Sequence, residues 1–152
     1  MPRLYTRPVA LRWHEHTFAE LSTAQLYALM VLRGRVFIVE QNCVYNDADG
    51  ADPHCRHIWA TEGDAIVAYC RVVPPGVKYP EASIGRVLTA PEARGTGAGR
   101  ELMRRAIAAC GEQRIRIGAQ AYLTTFYGEL GFVVDGEIYD EDGIPHVQMV
   151  RA

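Results

Sequence analysis

At 152 residues with 49% apolar content, the chain suits one domain (residues 1–152) with a sizeable core and excludes a disordered polymer. A formal charge of −2 excludes broad electrostatic attachment to nucleic acid or to an anionic membrane. No apolar run approaches the roughly 18 residues that span a bilayer, and the opening MPRLYTRPVALRW has too short an apolar stretch for a secretory leader, so a cytoplasmic location is expected.

Residues 1–9 read as a loose tail broken by Pro2 and Pro8, and Ala10 to Trp13 as a short strand. Ser22 opens a helix, with Gln25 three residues on as in a capping box, and the helix is expected to run to about Gln41. Its inward stripe reads Leu26, Leu29, Met30, Arg33, Val36, Phe37, Glu40. Two charged residues on that stripe leave two readings. Either Arg33 and Glu40 lie at its wet margin, or this side of the helix borders a polar cavity.

Residues 42–56 hold no helix or strand pattern. Asp47, Asp49 and Asp52 with Gly50 have an incomplete calcium-loop series that no glutamate closes, so a turn-rich loop is expected there. His57 to Thr61 and Ala65 to Val73 form a hairpin around Glu62-Gly63-Asp64. A fourth strand runs from Ala82 to Thr89. The four cysteines lack zinc spacing: Cys55 and His57 alternate faces, and no second pair follows. Cys70 and Cys110 fall in apolar periodic segments and read as core, and no metal is expected.

After Pro91 comes Arg94-Gly95-Thr96-Gly97-Ala98-Gly99-Arg100, then a helix over Gly97 to Gln113. Strand, glycine turn and helix make an anion cradle. Glycines admit close approach of the backbone, and the helix start supplies unpaired N–H groups and the positive end of its dipole. The glycine spacing does not fit the dinucleotide fingerprint, and no lysine follows as in a P-loop. A strand over Arg114 to Ala119, a helix over Tyr122 to Leu130 closed by Gly131, a strand over Phe132 to Ile138, an acidic loop over 139–145 and a last strand over His146 to Val150 complete the chain. A mixed α/β sheet with helices on its faces is the simplest architecture.

Arg94-x-x-Gly97-x-Gly99 after an apolar strand and Pro91, followed by Phe126-Tyr127-x-x-Leu130-Gly131-Phe132, resembles the two signature segments of the GNAT superfamily of N-acetyltransferases. More narrowly, LRGRVFIVEQ (32–41), YNDADGAD (45–52), GAQAYLTTFYGELGF (118–132) and YDEDGIPHVQM (139–149) resemble its ElaA-like branch, over most of the chain after residue 26. The resemblance implies the acyl-CoA N-acyltransferase fold, with about seven strands splayed between the fourth and fifth and about four helices. It implies acetyl-CoA as cosubstrate and a small-molecule or peptide amine as acceptor, and it is compatible with a homodimer.

On that resemblance, the pyrophosphate of acetyl-CoA lies over the backbone N–H groups of Arg94, Gly95, Thr96, Gly97, Ala98, Gly99 and Arg100. The pantetheine arm lies along Val87, Leu88 and Thr89. The N–H of Leu88 faces the developing oxyanion, and Tyr127 protonates the leaving thiolate. The base is left open between Glu40, His146 and a chain of water. Arg33, Glu40 and His146 are the candidate acceptor contacts, and Asp140, Glu141 and Asp142 offer attraction for a cationic acceptor. Two departures from the pattern stand out: Gln120 occupies the region where many members have asparagine on the cofactor arm, and Val44 follows Cys43 where proline is usual. The alternative from a different class is a non-catalytic acyl-CoA sensor or interaction module on the same fold.

Overall fold

The computed structural model describes residues 10–152. The tail expected over 1–9 lies outside the described residues. The strands are β1 (Arg12–Thr17), β2 (Arg56–Glu62), β3 (Ala65–Val73), β4 (Ser83–Thr89), β5 (Ile115–Gln120), β6 (Val133–Val134), β7 (Tyr139–Glu141) and β8 (Ile144–Arg151). The helices are α1 (Thr23–Arg33), α2 (Ala98–Cys110) and α3 (Thr124–Glu129).

Two antiparallel sheets result, one in the order β1-β2-β3-β4 and one in the order β5-β8-β6, with β7 also paired to β8. Their seam is a single parallel bridge, Ala82 to Ile115, where the Arg116 N–H donates to the Ala82 carbonyl at 2.9 Å. Beyond that bridge β4 and β5 share no ladder, and the expected splay between the fourth and fifth strands is present.

The first sheet is covered on both faces, which is why β3 is buried from Val67 to Val73. On one face α2 sets Leu102, Met103 and Ala106 against Ile58, Ala68 and Cys70. On the other, Leu29, Leu32, Val36 and Phe37 pack on Trp59, Tyr69 and Leu88. Cys70 and Cys110 are buried in the larger core.

Several boundaries differ from expectation. The first strand starts two residues later than Ala10 and runs on to Thr17, because its alternating polar residues pair with β2 in a continuous antiparallel register. Among the described residues there are eight strands where about seven were expected: Tyr139–Glu141, in the expected acidic loop, pairs with β8 across a tight turn at Asp142 and Gly143. The strand expected over 132–138 shrinks to two residues. The described residues form three α-helices where about four were expected. The Ser22 capping box is present: the Gln25 N–H donates to Ser22 Oγ at 3.0 Å, and the Ser22 N–H to Gln25 Oε1 at 2.9 Å. The helix it opens changes to a π-helix over Gly34–Glu40. The wider turn rotates the inward stripe, so Leu32, Arg33, Val36 and Phe37 are buried while Glu40 emerges at the surface.

Candidate active site

Strand β4 is the spine of the site. Arg71 stands opposite Gly85 and Tyr69 opposite Leu88, so Arg86 and Val87 together face the single residue Cys70. This is a β-bulge, and Arg86 sits in it at φ +50°, a left-handed conformation costly to any residue that carries a Cβ. The bulge bends β4 away from β5. Between the parted strands lies a cavity of about 930 Å³, lined by Val87, Leu88 and Thr89 on one side and by Ile117, Gly118 and Gln120 on the other.

At one end of this cavity is the glycine turn. Gly95 and Gly97 have φ of +77° and +84°, and a side chain at either would meet open space rather than protein. Gly97 caps α2 with no side-chain hydrogen bond, so the first turn presents uncapped N–H groups to the cavity. Thr96 turns its hydroxyl back to the Ala93 carbonyl, closing the turn from behind. Gly99 approaches β4, where a Cβ would lie 3.5 Å from the Thr89 methyl group. These residues fit a diphosphate: an open concave backbone, left-handed turns and a helix start. Arg100 lines the same end, ion-paired to Glu129 and 5.9 Å from the Phe126 ring centroid.

Tyr127 enters from α3. Gly131 at φ +94° ends the helix and reverses the chain, which sets Phe132 edge-on to the Tyr127 ring at 6.0 Å, while Phe126, beside it in α3, lies edge-on at 5.1 Å. Burial pushes its phenol above the ordinary tyrosine value, so it stays protonated. Its ring is buried, yet it lines the cavity.

Glu40 also lines the cavity, but it is held by Arg94 in a bidentate pair, one bond of which is 2.9 Å. That hydrogen bonding lowers its carboxyl below the usual range. His146 pairs across β8 with Gln120 and is buried against the Tyr139 ring. Its Nδ1 is 2.7 Å from the Ile144 carbonyl and its Nε2 is 3.1 Å from Glu141 Oε2, so both ring nitrogens face acceptors. Gln120 reaches Gln41 at 3.5 Å. Glu40, His146, Gln120, Tyr127 and all the expected cofactor contacts except Thr96 therefore line one cavity.

Arg33 does not line it. Its guanidinium is only 1% exposed and donates to Asp47 at 2.9 Å, to Asp52 at 2.7 Å and to the Asp47 carbonyl. The loop over 42–55, free of regular structure as expected except for a 3-10 turn at Asp52–His54, is pinned by arginines. Arg71 donates to Asp49 and Asp52, and Arg86 donates to Asp47 and Asp49. Lys78 reaches Asp49 at 2.7 Å. The pairing holds Asp49 well below the ordinary carboxylate range and lowers Asp52 as well; for Asp52, burial pulls upward and the arginine contacts outweigh it. Among the described residues, no group of three or more histidines, cysteines or carboxylates is arranged to hold a metal.

This network escaped sequence reasoning. The signal was Arg71 in the otherwise buried run AIVAYCRVV: a buried arginine requires carboxylates, and the loop at 47–52 was the available source. The bulge at Arg86 left no signal.

A family model described as acetyltransferase (GNAT) domain matches residues 23–152. Protein ElaA of Escherichia coli is 41% identical over 147 residues, covering 93% of this chain and 96% of its own length. The crystal structure of Escherichia coli ElaA superposes with a TM-score of 0.89, covering 94% of this chain and all of its own. That of an acyl-CoA N-acyltransferase from Pseudomonas aeruginosa also gives 0.89, at 39% identity and the same coverage.

Proposed function

The chain belongs to the GNAT acetyltransferase family, and on that premise we propose that it is an acetyl-CoA-dependent N-acetyltransferase acting on an amine in a ternary complex. The observation that carries the reading is the meeting of three features in one cavity: the bulged edge of β4, the uncapped glycine turn and the buried phenol of Tyr127.

In this reading the turn from Arg94 to Arg100 holds the pyrophosphate. Val87 to Thr89 hold the pantetheine arm, and the Leu88 N–H meets the thioester oxygen. The acceptor arrives as an ammonium ion and loses one proton to Glu40, to His146 or to water. Its nitrogen lone pair then forms the C–N bond, and negative charge gathers on the oxygen facing Leu88, where a fixed donor stabilises it. Collapse breaks the C–S bond. Tyr127 gives its proton to the departing sulfur and recovers one from the nitrogen, directly or through water. The balance is one ammonium and one acetyl-CoA converted to one amide, one CoA thiol and one proton.

Isothermal titration with acetyl-CoA tests the reading, followed by turnover of Tyr127→Phe. The reading predicts binding within the range of about 1 μM to 1 mM usual for enzyme substrates. It also predicts a fall in kcat of about 10²-fold or more in the variant, with cofactor affinity kept. Absence of acetyl-CoA binding refutes it, and unchanged kcat removes Tyr127 as the acid.

A further inference from the structure

The end of the cavity away from the glycine turn is built differently. Asp47, Asp49 and Asp52 answer four cations, Arg33, Arg71, Arg86 and Lys78, which leaves one positive charge without a carboxylate. The surplus is on the cavity side, because Arg71, Arg86 and Lys78 line it and Arg33 does not. Its donors are incomplete as well. Arg71 spends both terminal nitrogens on Asp49 and Asp52, but its Nε has no hydrogen-bond partner although the side chain is only 2% exposed. A buried unmatched donor is costly, at about 1–3 kcal/mol, and calls for a partner. Lys78 has three N–H groups and a single carboxylate, Asp49.

Gly85 faces Arg71 across the ladder and leaves the space beside that nitrogen empty. A Cβ built on it would have Arg71 Nε, at 3.8 Å, as its sole neighbour within 4 Å. Glu141 and Asp142, on the β7–β8 hairpin of the other sheet, line the same cavity, whereas Glu40 is taken up by Arg94. The hairpin that carries Glu141 and Asp142 is tied to the arginine-pinned loop by Cys43, whose thiol donates to the Asp142 carbonyl at 3.1 Å. The cationic excess carried by Arg71, Arg86 and Lys78 thus shares one cavity with the carboxylates of the β7–β8 hairpin.

We infer that the acceptor is an amino-carboxylate: its ammonium is drawn to the Glu141 side, and its carboxylate docks on Arg71, Arg86 and Lys78 beside Gly85. This deepens the acetyltransferase reading and rests on it. The carboxylate supplies the missing charge and accepts from Arg71 Nε and from Lys78. Gly85 and Leu88 are three positions apart on β4, at most about 10 Å at a rise of about 3.3 Å per residue, a distance the acetylated acceptor has to bridge together with the hydrogen bond at each of its ends.

The test uses product-like probes on the CoA-loaded full chain: the N-acetyl derivatives of the proteinogenic amino acids and their matched primary amides, titrated by calorimetry or NMR. At least one carboxylate-bearing member binds about tenfold or more tightly than its own amide, as charge-assisted docking requires. Lys78→Gln, at a side chain 40% exposed, removes most of that preference. Gly85→Ala, at an ordinary van der Waals distance, also removes it, and both variants keep wild-type affinity for CoA. Equal binding of acid and amide, preference for the amide, or no binding of either series to CoA-loaded protein overturns the inference and leaves the acetyltransferase reading standing. Failure to bind CoA at all refutes that reading instead.

Discussion

At the scale of single residues, Glu40 and Arg94 carry the sharpest consequence. Each occupies the other in the free protein, yet each has a second task in the proposed reaction. Arg94 is wanted by phosphate and Glu40 by a proton. Glu40→Gln removes the competitor for Arg94, so it lowers the KM for acetyl-CoA by several-fold; kcat falls if Glu40 is the base and holds if His146 or water serves. Arg94→Ala does the opposite to KM, raising it by about tenfold, the scale of one charge-assisted contact. Steady-state kinetics with varied acetyl-CoA reads both. Arg71 acts on stability: Arg71→Leu leaves Asp49 and Asp52 short of a buried partner and costs about 3–5 kcal/mol, measured by denaturant unfolding. The charged residues were visible in the sequence, but their partners were not. Arg33 and Glu40 stand seven apart on one helical stripe, yet a π-turn between them sends one into the core and the other to the cavity. No periodicity announces that change of pitch, because the same residues satisfy either winding.

At the scale of elements, the glycine turn and the bulge do the positioning. Gly97 occupies a left-handed conformation. Gly97→Val strains it by roughly 1–2 kcal/mol and places a branched side chain where phosphate is proposed to lie. Acetyl-CoA affinity falls by tenfold or more in titration while the far-UV spectrum is kept. The strand–turn–helix at this end was legible because its signals are local: apolar run, proline, glycines and amphipathic helix follow one another between Ser83 and Cys110. The α3 segment was legible for the same reason, since Gly131 ends it and Phe132 folds back on Tyr127. The β4 bulge was not. It is a matter of register between β3 and β4, and nothing in Arg86 or Val87 distinguishes a bulged pair from a regular one. The short strand at Tyr139–Glu141 was hidden by its own acidity, which looks like loop until the pairing with β8 is known.

At the scale of the whole molecule, the arginine-pinned loop joins α1, β3, β4 and the far hairpin, so folding and site assembly share one network. Its pH response has two steps. His57 donates from Nε2 to the Asp52 carbonyl at 3.0 Å, so Nδ1 accepts from the Tyr69 hydroxyl at 2.7 Å, and the ring is neutral. Burial lowers its pKa below the ordinary histidine value. Its contribution is therefore complete above about pH 6.5 and is lost as pH falls below that, when the unfolded chain takes up a proton the folded chain refuses. Asp49 and Asp52, with lowered pKa values, add stability above about pH 4 that is lost as pH drops further. Thermal unfolding against pH shows a first decline below about 6.5 and a steeper one below about 4; His57→Gln, whose amide can replace both hydrogen bonds, reduces the first and leaves the share of His14, whose pKa burial also lowers. The central claim is that this network, the bulged strand and the glycine turn serve acetyl transfer to an amine. The most direct measurement is release of CoA thiol from acetyl-CoA across a panel of amines, with mass spectrometry of the products. Acetyl transfer predicts one thiol released for each amine that gains an acetyl group, and loss of both signals in Tyr127→Phe. Tight binding of acetyl-CoA with no thiol release above background for any amine contradicts it and identifies a sensor instead.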